Sequence, residues 1–313
     1  MAYLTEIRRR SCFLPALVAA CLLGATAIAG CGVAGSAHQQ GAGVVASTDV
    51  WGSVAHTVAG RHVNVKSILS GATIDPHTYQ ASASDAAAIL DAGLVVYNGG
   101  GYDPWATQVL NGHSNVKSVD AYSFAPKADN GTPPNEHVFY DLDIAKTVAN
   151  AIADRLSAID ADNGGDYRAN AAAFDRDADV IAASERAIGS AFTSTSVVTT
   201  EPVAFYLLKA TGLVDRTPES FKSANENGTD PSPADMAFVL DLVNRHQVAA
   251  VLLNPQTATP AINGLQDAAR RAGVPVTLVT ETLPDGADYL TWQRNTVDQL
   301  QAALRSSRAN ARN

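Results

Sequence analysis

Cysteine is scarce in this chain of 313 residues, and Cys12, Cys21 and Cys31 all lie near its start. Beyond residue 31 no disulfide or thiolate ligand can form, which excludes Cys-type zinc sites and iron–sulfur clusters there. Basic charge is also in deficit, with 22 Lys and Arg against 31 Asp and Glu. That balance speaks against a nucleic-acid partner and suits a surface that attracts cations. After residue 30 no run is apolar enough to span a bilayer. The chain also lacks a phosphate-cradling glycine loop, a His-Glu-x-x-His helix and a Gly-x-Ser-x-Gly elbow. Nucleotide hydrolysis and the common hydrolase chemistries are therefore without their signatures.

The first 30 residues explain the early cysteines. Arg8-Arg9-Arg10 precede an apolar run from Phe13 to Ala29, and Ile28-Ala29-Gly30 lead into Cys31. A basic head, a short apolar core and small residues before a cleavage point describe a secretory signal, and the run is short for a membrane span. Small residues directly before cysteine match the bacterial lipobox pattern, so Cys31 is expected to become the lipidated first residue of the mature protein. Residues 1–30 carry three arginines and one glutamate, so the net charge of −9 becomes −11 without them. Ser36 to Gly43 is small and polar and reads as a tether.

Short β-rich runs recur downstream: Val44-Val45-Ala46, Val63 to Leu69, Leu94 to Tyr97, Ser196 to Thr199, Val248 to Leu253 and Val274 to Val279. Helical patterns lie between most of them, at Asp85 to Ala92, Pro202 to Thr211, Pro233 to His246 and Ala261 to Ala272. This alternation predicts parallel sheets covered by helices, with Gly93, Gly212 and Gly273 as helix stops. The middle differs. Asp141 to Ile159 and Tyr167 to Phe192 read as two long helices broken at Asn163-Gly164-Gly165. The second carries Tyr167, Ala171, Phe174, Ala178, Ile181 and Ile188 at near-helical spacing. It is long enough to run from one lobe to another. The expected fold class is α/β, with two lobes, each a mostly parallel sheet flanked by helices, joined by one long rigid helix. The expected division is a lipoprotein signal at 1–30, a flexible tether at 31–42, an N-terminal lobe at 43–160, a linking helix at 161–192 and a C-terminal lobe at 193–313. A core helix within one larger domain is the alternative for the long helix.

Open parallel sheets bind ligands outside the carboxyl ends of their strands. After the run ending at Leu69 comes Ile74-Asp75-Pro76-His77, where proline stiffens the backbone and restricts Asp75. Before the first long helix comes Pro133-Pro134-Asn135-Glu136-His137. Glu201 follows Thr199-Thr200, and Glu281 follows Val279-Thr280. Two imidazoles and two carboxylates thus occupy strand-end or loop positions, two from each half. They suffice for a four-coordinate metal site, or a higher-coordinate one with bidentate carboxylates. Asp75 is read as a partner orienting an imidazole. His38, His56, His62, His113 and His246 lack this context and read as surface or packing residues. Trp51, Trp105 and Trp292 read as packing, and Asn254-Pro255-Gln256 as the cleft floor.

The chain resembles the cluster A-I solute-binding proteins of bacterial metal ABC transporters, which carry zinc, manganese or iron(II). The resemblance rests on IDPHTYQASASDAAAILDAGLVVYNGGGYDPW, NEHVFYDLDIAKTVANAIADRLSAID, YRANAAAF, TTEPVAFYLLKATGL, DPSPADMAFVLDLVNRHQVAAVLLNPQ and VPVTLVTETLP, in order over most of residues 43 to 305. It implies two α/β lobes joined by one rigid helix. His77 and His137 match the family's two histidines, and Glu201 stands where members carry histidine or glutamate. Glu281 stands where aspartate is usual, so its denticity is open and Asp285 is the alternative ligand. The usual Asp-Pro-His at the second histidine is Asn135-Glu136-His137, and the family's histidine-rich acidic loop is missing between Ala125 and Thr132.

Two nitrogens and two carboxylates lean toward manganese or iron(II), although the divalent affinity order still favours zinc binding. The expected cargo is thus a divalent transition metal, Mn or Zn, with Fe(II) as a third candidate. The resemblance implies an extracytoplasmic monomer, held to the outer face of the cytoplasmic membrane through Cys31, that delivers its ion to an ABC permease and ATPase. It implies no nucleic acid and no enzymatic activity. Two other readings stay open: a metal-dependent hydrolase, which needs an open coordination position, and a receptor for a siderophore or other organic ligand, which would want arginines or aromatics at the strand ends.

Overall fold

The computed structural model describes residues 41–71, 74–127 and 134–310. The predicted signal segment, Cys31 and His38 lie outside them. The first strand, β1 (Gly41–Thr48), already includes the end of the segment read as tether. It runs directly into α1 (Asp49–Ala59) and is followed by β2 (Val65–Leu69), α2 (Ala83–Leu90), β3 (Ala92–Tyr97), α3 (Pro104–Leu110) and β4 (Ser118–Asp120). These strands form a parallel sheet in the order β2-β1-β3-β4. Val44, Val45 and Ala46 of the inner strand β1 are all buried, as a strand covered on both faces requires.

The second half repeats the rhythm: β5 (Ser196–Thr199), α6 (Phe205–Thr211), β6 (Val214–Asp215), α7 (Glu219–Glu226), α8 (Pro233–Asn244), β7 (Val251–Leu253), α9 (Pro260–Ala272), β8 (Val276–Leu278) and α10 (Tyr289–Asn310). Its parallel sheet has the order β6-β5-β7-β8. In each sheet the strand order reverses between its two inner strands. The crevice at that reversal lies at the ends of β1 and β3 in one lobe, and of β5 and β7 in the other.

Helix α4 (Leu142–Ile159) packs on the first sheet's elements and along α5 (Gly164–Ala191), which leads on to the second sheet. At 28 residues α5 is about 42 Å long. Its buried stripe is the predicted one, with Glu185 as an added charged member. The break falls on the 3-10 turn at Ala161–Asn163, and the two glycines open α5 instead of interrupting the chain. One continuous core joins the sheets, from Val44 and Leu94 through Phe174 and Ile181 to Leu252 and Leu300. Among the described residues no helix is long and apolar enough to cross a membrane.

Two details depart from expectation. Gly93 is no helix stop: α2 ends at Leu90 with Asp91 as its cap, and Gly93 is the second residue of β3. Gly212 and Gly273 do cap α6 and α9 in the left-handed region, at φ 63° and 70°. Four helices fall outside the runs picked from sequence, namely α1, α3, α7 and α10. In α1, Gly52 disguises a helix, yet it has a packing reason: a Cβ there would meet Ser67 Oγ on β2 and force that side chain to move.

Candidate metal centre

The two histidines proposed as donors sit on turns whose own polar groups fix them. At His77, the backbone N–H donates to Asp75 Oδ1 at 2.9 Å. Asp75 Oδ2 accepts from Thr78 Oγ1 at 3.2 Å. Asp75 therefore pins the turn and not the imidazole ring, which corrects the orienting role expected for it. At His137, Asn135 Oδ1 accepts both the backbone N–H (2.9 Å) and the ring Nδ1 (3.1 Å). An amide oxygen can only accept, so the ring Nδ1 carries a proton and Nε2 is the nitrogen turned toward the site. Asn135 thus does for His137 what a second-shell carboxylate commonly does for a metal-bound histidine.

Glu281 is held from every side. Its backbone N–H donates to Gln256 Oε1 at 2.6 Å, and its carbonyl accepts from Tyr102 Oη at 2.9 Å. Side-chain Oε1 accepts from Asn254 Nδ2 at 2.8 Å. Oε2 faces the imidazoles, 3.5 Å from His77 Nε2 and 3.7 Å from His137 Nε2. The rings of His77 and His137 are 5.6 Å apart, and Tyr102 packs edge-on against both. Asp49 ties the two approaching loops together, accepting from Gly71 N (2.8 Å) and Leu283 N (3.1 Å).

Glu201 is 3% exposed and lies beside this group, not in its centre. Its Oε2 accepts from the same Asn254 Nδ2, at 2.7 Å, and its Oε1 from Thr257 Oγ1. Asn254 therefore bridges two buried carboxylates, a stronger role than cleft floor. His77, His137 and Glu281 bring donor atoms within 4.8 Å of one another, and so do His77, Glu136 and Glu226. Asp285 is exposed in a turn and belongs to neither group. Of the other histidines, His56, His113 and His246 are exposed. His62 pairs with Asp166 at 2.8 Å, far from the site in sequence.

The charges are strongly coupled. Burial disfavours the charged form of His77, but Glu281 outweighs it and pulls the imidazole up to about 9. Burial likewise opposes ionisation of Glu281, yet the two imidazoles override it and hold the carboxyl at about 2. Burial pushes Glu201 up to about 7, against the hydrogen bonds from Thr257 and Asn254. Among the buried side-chain atoms without a hydrogen-bond partner in the described residues, four gather here: His77 Nε2, His137 Nε2, Glu226 Oε1 and Glu281 Oε2. Buried polar atoms left unpaired are costly, and a cluster of lone-pair donors is satisfied together by one cation. Donors around a four-coordinate zinc ion at 2.0–2.1 Å stand about 3.4 Å apart. The 3.5 and 3.7 Å separations are within a small contraction of that.

Sequence reasoning missed Tyr102, Glu226 and the bridging role of Asn254. Tyr102 stands just past Gly99-Gly100-Gly101, after a strand, where a glycine run does signal a close backbone approach. Glu226 ends a helix absent from the sequence reading and gave no local signal.

Comparison with known proteins bears on the family and the fold. Residues 44–303 match the family described as zinc-uptake complex component A, periplasmic (ZnuA). The manganese-binding lipoprotein MntA of Bacillus subtilis is 26% identical over 277 residues, covering 84% of this chain and 87% of the relative. The laminin binding protein Lmb of Streptococcus agalactiae superposes with a TM-score of 0.71 at 25% identity, over 84% of this chain and 100% of that one. The periplasmic zinc binding protein TroA of Treponema pallidum gives 0.70 at 18% identity, over 84% and 99%, a likeness of fold.

Proposed function

From the membership of this chain in the ZnuA family of zinc-uptake complex components, we propose that it captures a divalent transition metal between its lobes, outside the cytoplasmic membrane. His77, His137 and Glu281 contact the ion, and Glu201 is the fourth carboxylate or imidazole position of the site. The observation that carries this is the convergence of three buried donor atoms without a hydrogen-bond partner, from both lobes, with Glu281 Oε2 3.5 and 3.7 Å from the two imidazole nitrogens. A carboxylate oxygen of Glu201 engaged by Asn254 or Thr257 retains a further lone pair for the ion. Manganese and zinc are the candidate cargoes. The B. subtilis relative is named for manganese and the matched family for zinc.

In this reading Cys31 carries a lipid, residues 43–160 and 193–313 form the two lobes around the helix at 161–192, and delivery is to an ABC permease driven by a separate ATPase. Site chemistry supports cargo binding over catalysis: donor side chains from both halves close on one place, with Tyr102 packed edge-on against both imidazoles. The test is thermal unfolding and elemental analysis of chelator-stripped protein. Mn(II) or Zn(II) at 100 times Kd should stabilise it by about 2.7 kcal/mol. His77→Ala with Glu281→Ala should abolish both the shift and the bound ion. Equal stabilisation of that double variant would refute the site.

A further inference from the structure

Glu226 is an unusual place for a carboxylate. It is the last residue of α7, where the helix dipole already presents negative charge, so an anion there is disfavoured. Its Oε1 is buried without a hydrogen-bond partner among the described residues, which adds the cost of an unpaired polar atom. A carboxylate placed against both preferences is relieved by a nearby cation. The nearest candidate is the place bounded by the imidazoles: Oε1 lies 4.0 Å from His137 Nε2, and the carboxylate belongs to a group with His77 and Glu136.

The backbone holds it there. Phe221 and Asn225 of α7 are fully buried. Asn225 Nδ2 donates to the carbonyl of Thr200 at 2.8 Å, docking the end of α7 onto the residue before Glu201. Glu226 is thus positioned by the same strand end that positions Glu201. The side chain of Glu226 is 22% exposed against 1% and 2% for His137 and Glu281, so it stands at the mouth of the site.

We propose that Glu226 is a further direct ligand, closing over the captured ion and biasing the site toward manganese over zinc. This rests on the metal-capture reading above. Two imidazoles with Glu201, Glu281 and Glu226 make five donors, three of them carboxylates. Four-coordinate zinc has no use for the fifth, whereas an oxygen-rich set suits manganese.

The test measures Mn(II) and Zn(II) affinity of metal-stripped protein by competition with a chromophoric chelator, alongside the Mn(II) electron paramagnetic resonance spectrum. Glu226→Gln should weaken Mn(II) by about 10- to 100-fold, the loss of one charged interaction, and change its spectrum. Zn(II) affinity should stay within about threefold, because four donors remain. Glu226→Asp, which keeps the charge but withdraws the oxygen, should lie between. Asp285→Asn, at an exposed carboxylate, should change neither. If wild-type protein binds Mn(II) or Zn(II) and Glu226→Gln leaves affinities and spectrum unchanged, Glu226 is no ligand while the capture site stands. Equal losses for both metals would overturn the selectivity. Absence of binding by the wild type would overturn both readings.

Discussion

Asn254 offers the sharpest test of how the site is built. One amide nitrogen donates to Glu201 Oε2 at 2.7 Å and Glu281 Oε1 at 2.8 Å, and the residue is fully buried. Its Oδ1 also accepts the backbone N–H of Gln256 at 3.0 Å. Hydrogen bonds to charged groups contribute about 1.5–3 kcal/mol each and a neutral one about 1. Asn254→Ala therefore removes at most about 4–7 kcal/mol from the metal-free protein. Relief comes from Glu201, which at about 7 is poised to take a proton and shed its charge. That reduces the net loss at pH 8 to about 3 kcal/mol. The sign with pH is fixed. Below 7 Glu201 already holds its proton in the wild type, so the contribution from its ionised form is gone and the loss shrinks by pH 5.5. Urea unfolding of chelated protein at both pH values reads this directly, with Glu201→Gln completing a double-mutant cycle. A coupling of about 1.5 kcal/mol or more is expected at pH 8. A metal-free loss below about 1 kcal/mol, or a coupling near zero, would show that Asn254 merely fills space.

Two further outcomes follow from the charges. With His77 held at about 9, metal must displace its proton at neutral pH. Apparent affinity should therefore rise about tenfold per pH unit, steepen below 7 where Glu201 also holds a proton, and level off above 9. Calorimetry in buffers of differing ionisation enthalpy would count those protons, and release of none at pH 7.5 would refute the coupling. On α5, burial pushes Glu185 up to about 8, with Asp141 adding to the shift and Arg186 opposing it. The folded state thus holds this proton more tightly than the unfolded chain: no cost arises below 4.5, it grows with pH, and it is complete above 8. At pH 7 the cost is of order 3 kcal/mol, so Glu185→Gln should stabilise the protein there and flatten its stability between pH 5 and 8. Parallel pH profiles for variant and wild type would refute this.

The architecture was legible where burial is continuous. Runs such as Val44-Val45-Ala46 and the Tyr167-to-Ile188 stripe announce inner strands and a core-facing helix through pattern alone. The edge strands β4 and β6, of three and two residues, are too short to carry any periodicity. Helix α1 was hidden because Gly52 and its valines argue against helix locally, while close packing against Ser67 favours the glycine. Helix α10 had a readable stripe in Tyr289, Trp292, Val297, Leu300 and Leu304. In the site, His77, His137 and Glu281 were legible because strand ends converge by topology. The partners that aim them are not local: Tyr102 and Glu281 are 179 residues apart, and Asn254 and Glu201 are 53.

The glutamate at 281 illustrates what such partners decide. A longer carboxylate brings an extra rotatable bond, and from sequence its mode of binding is open. In the fold that freedom is removed. Gln256 and Tyr102 fix the backbone on either side, and Asn254 takes Oε1, so Oε2 alone faces His77 and His137. The two oxygens are thereby turned apart, Oε1 to the amide and Oε2 to the imidazoles. Under the metal-capture proposal Oε2 is the oxygen that meets the ion first, and Glu226, grouped with His77, is a neighbouring carboxylate that can add to it. The orientation of Glu281 is set by an amide outside the proposed ligand set, and this is why replacing Asn254 tests how the site is built and not only which residues compose it.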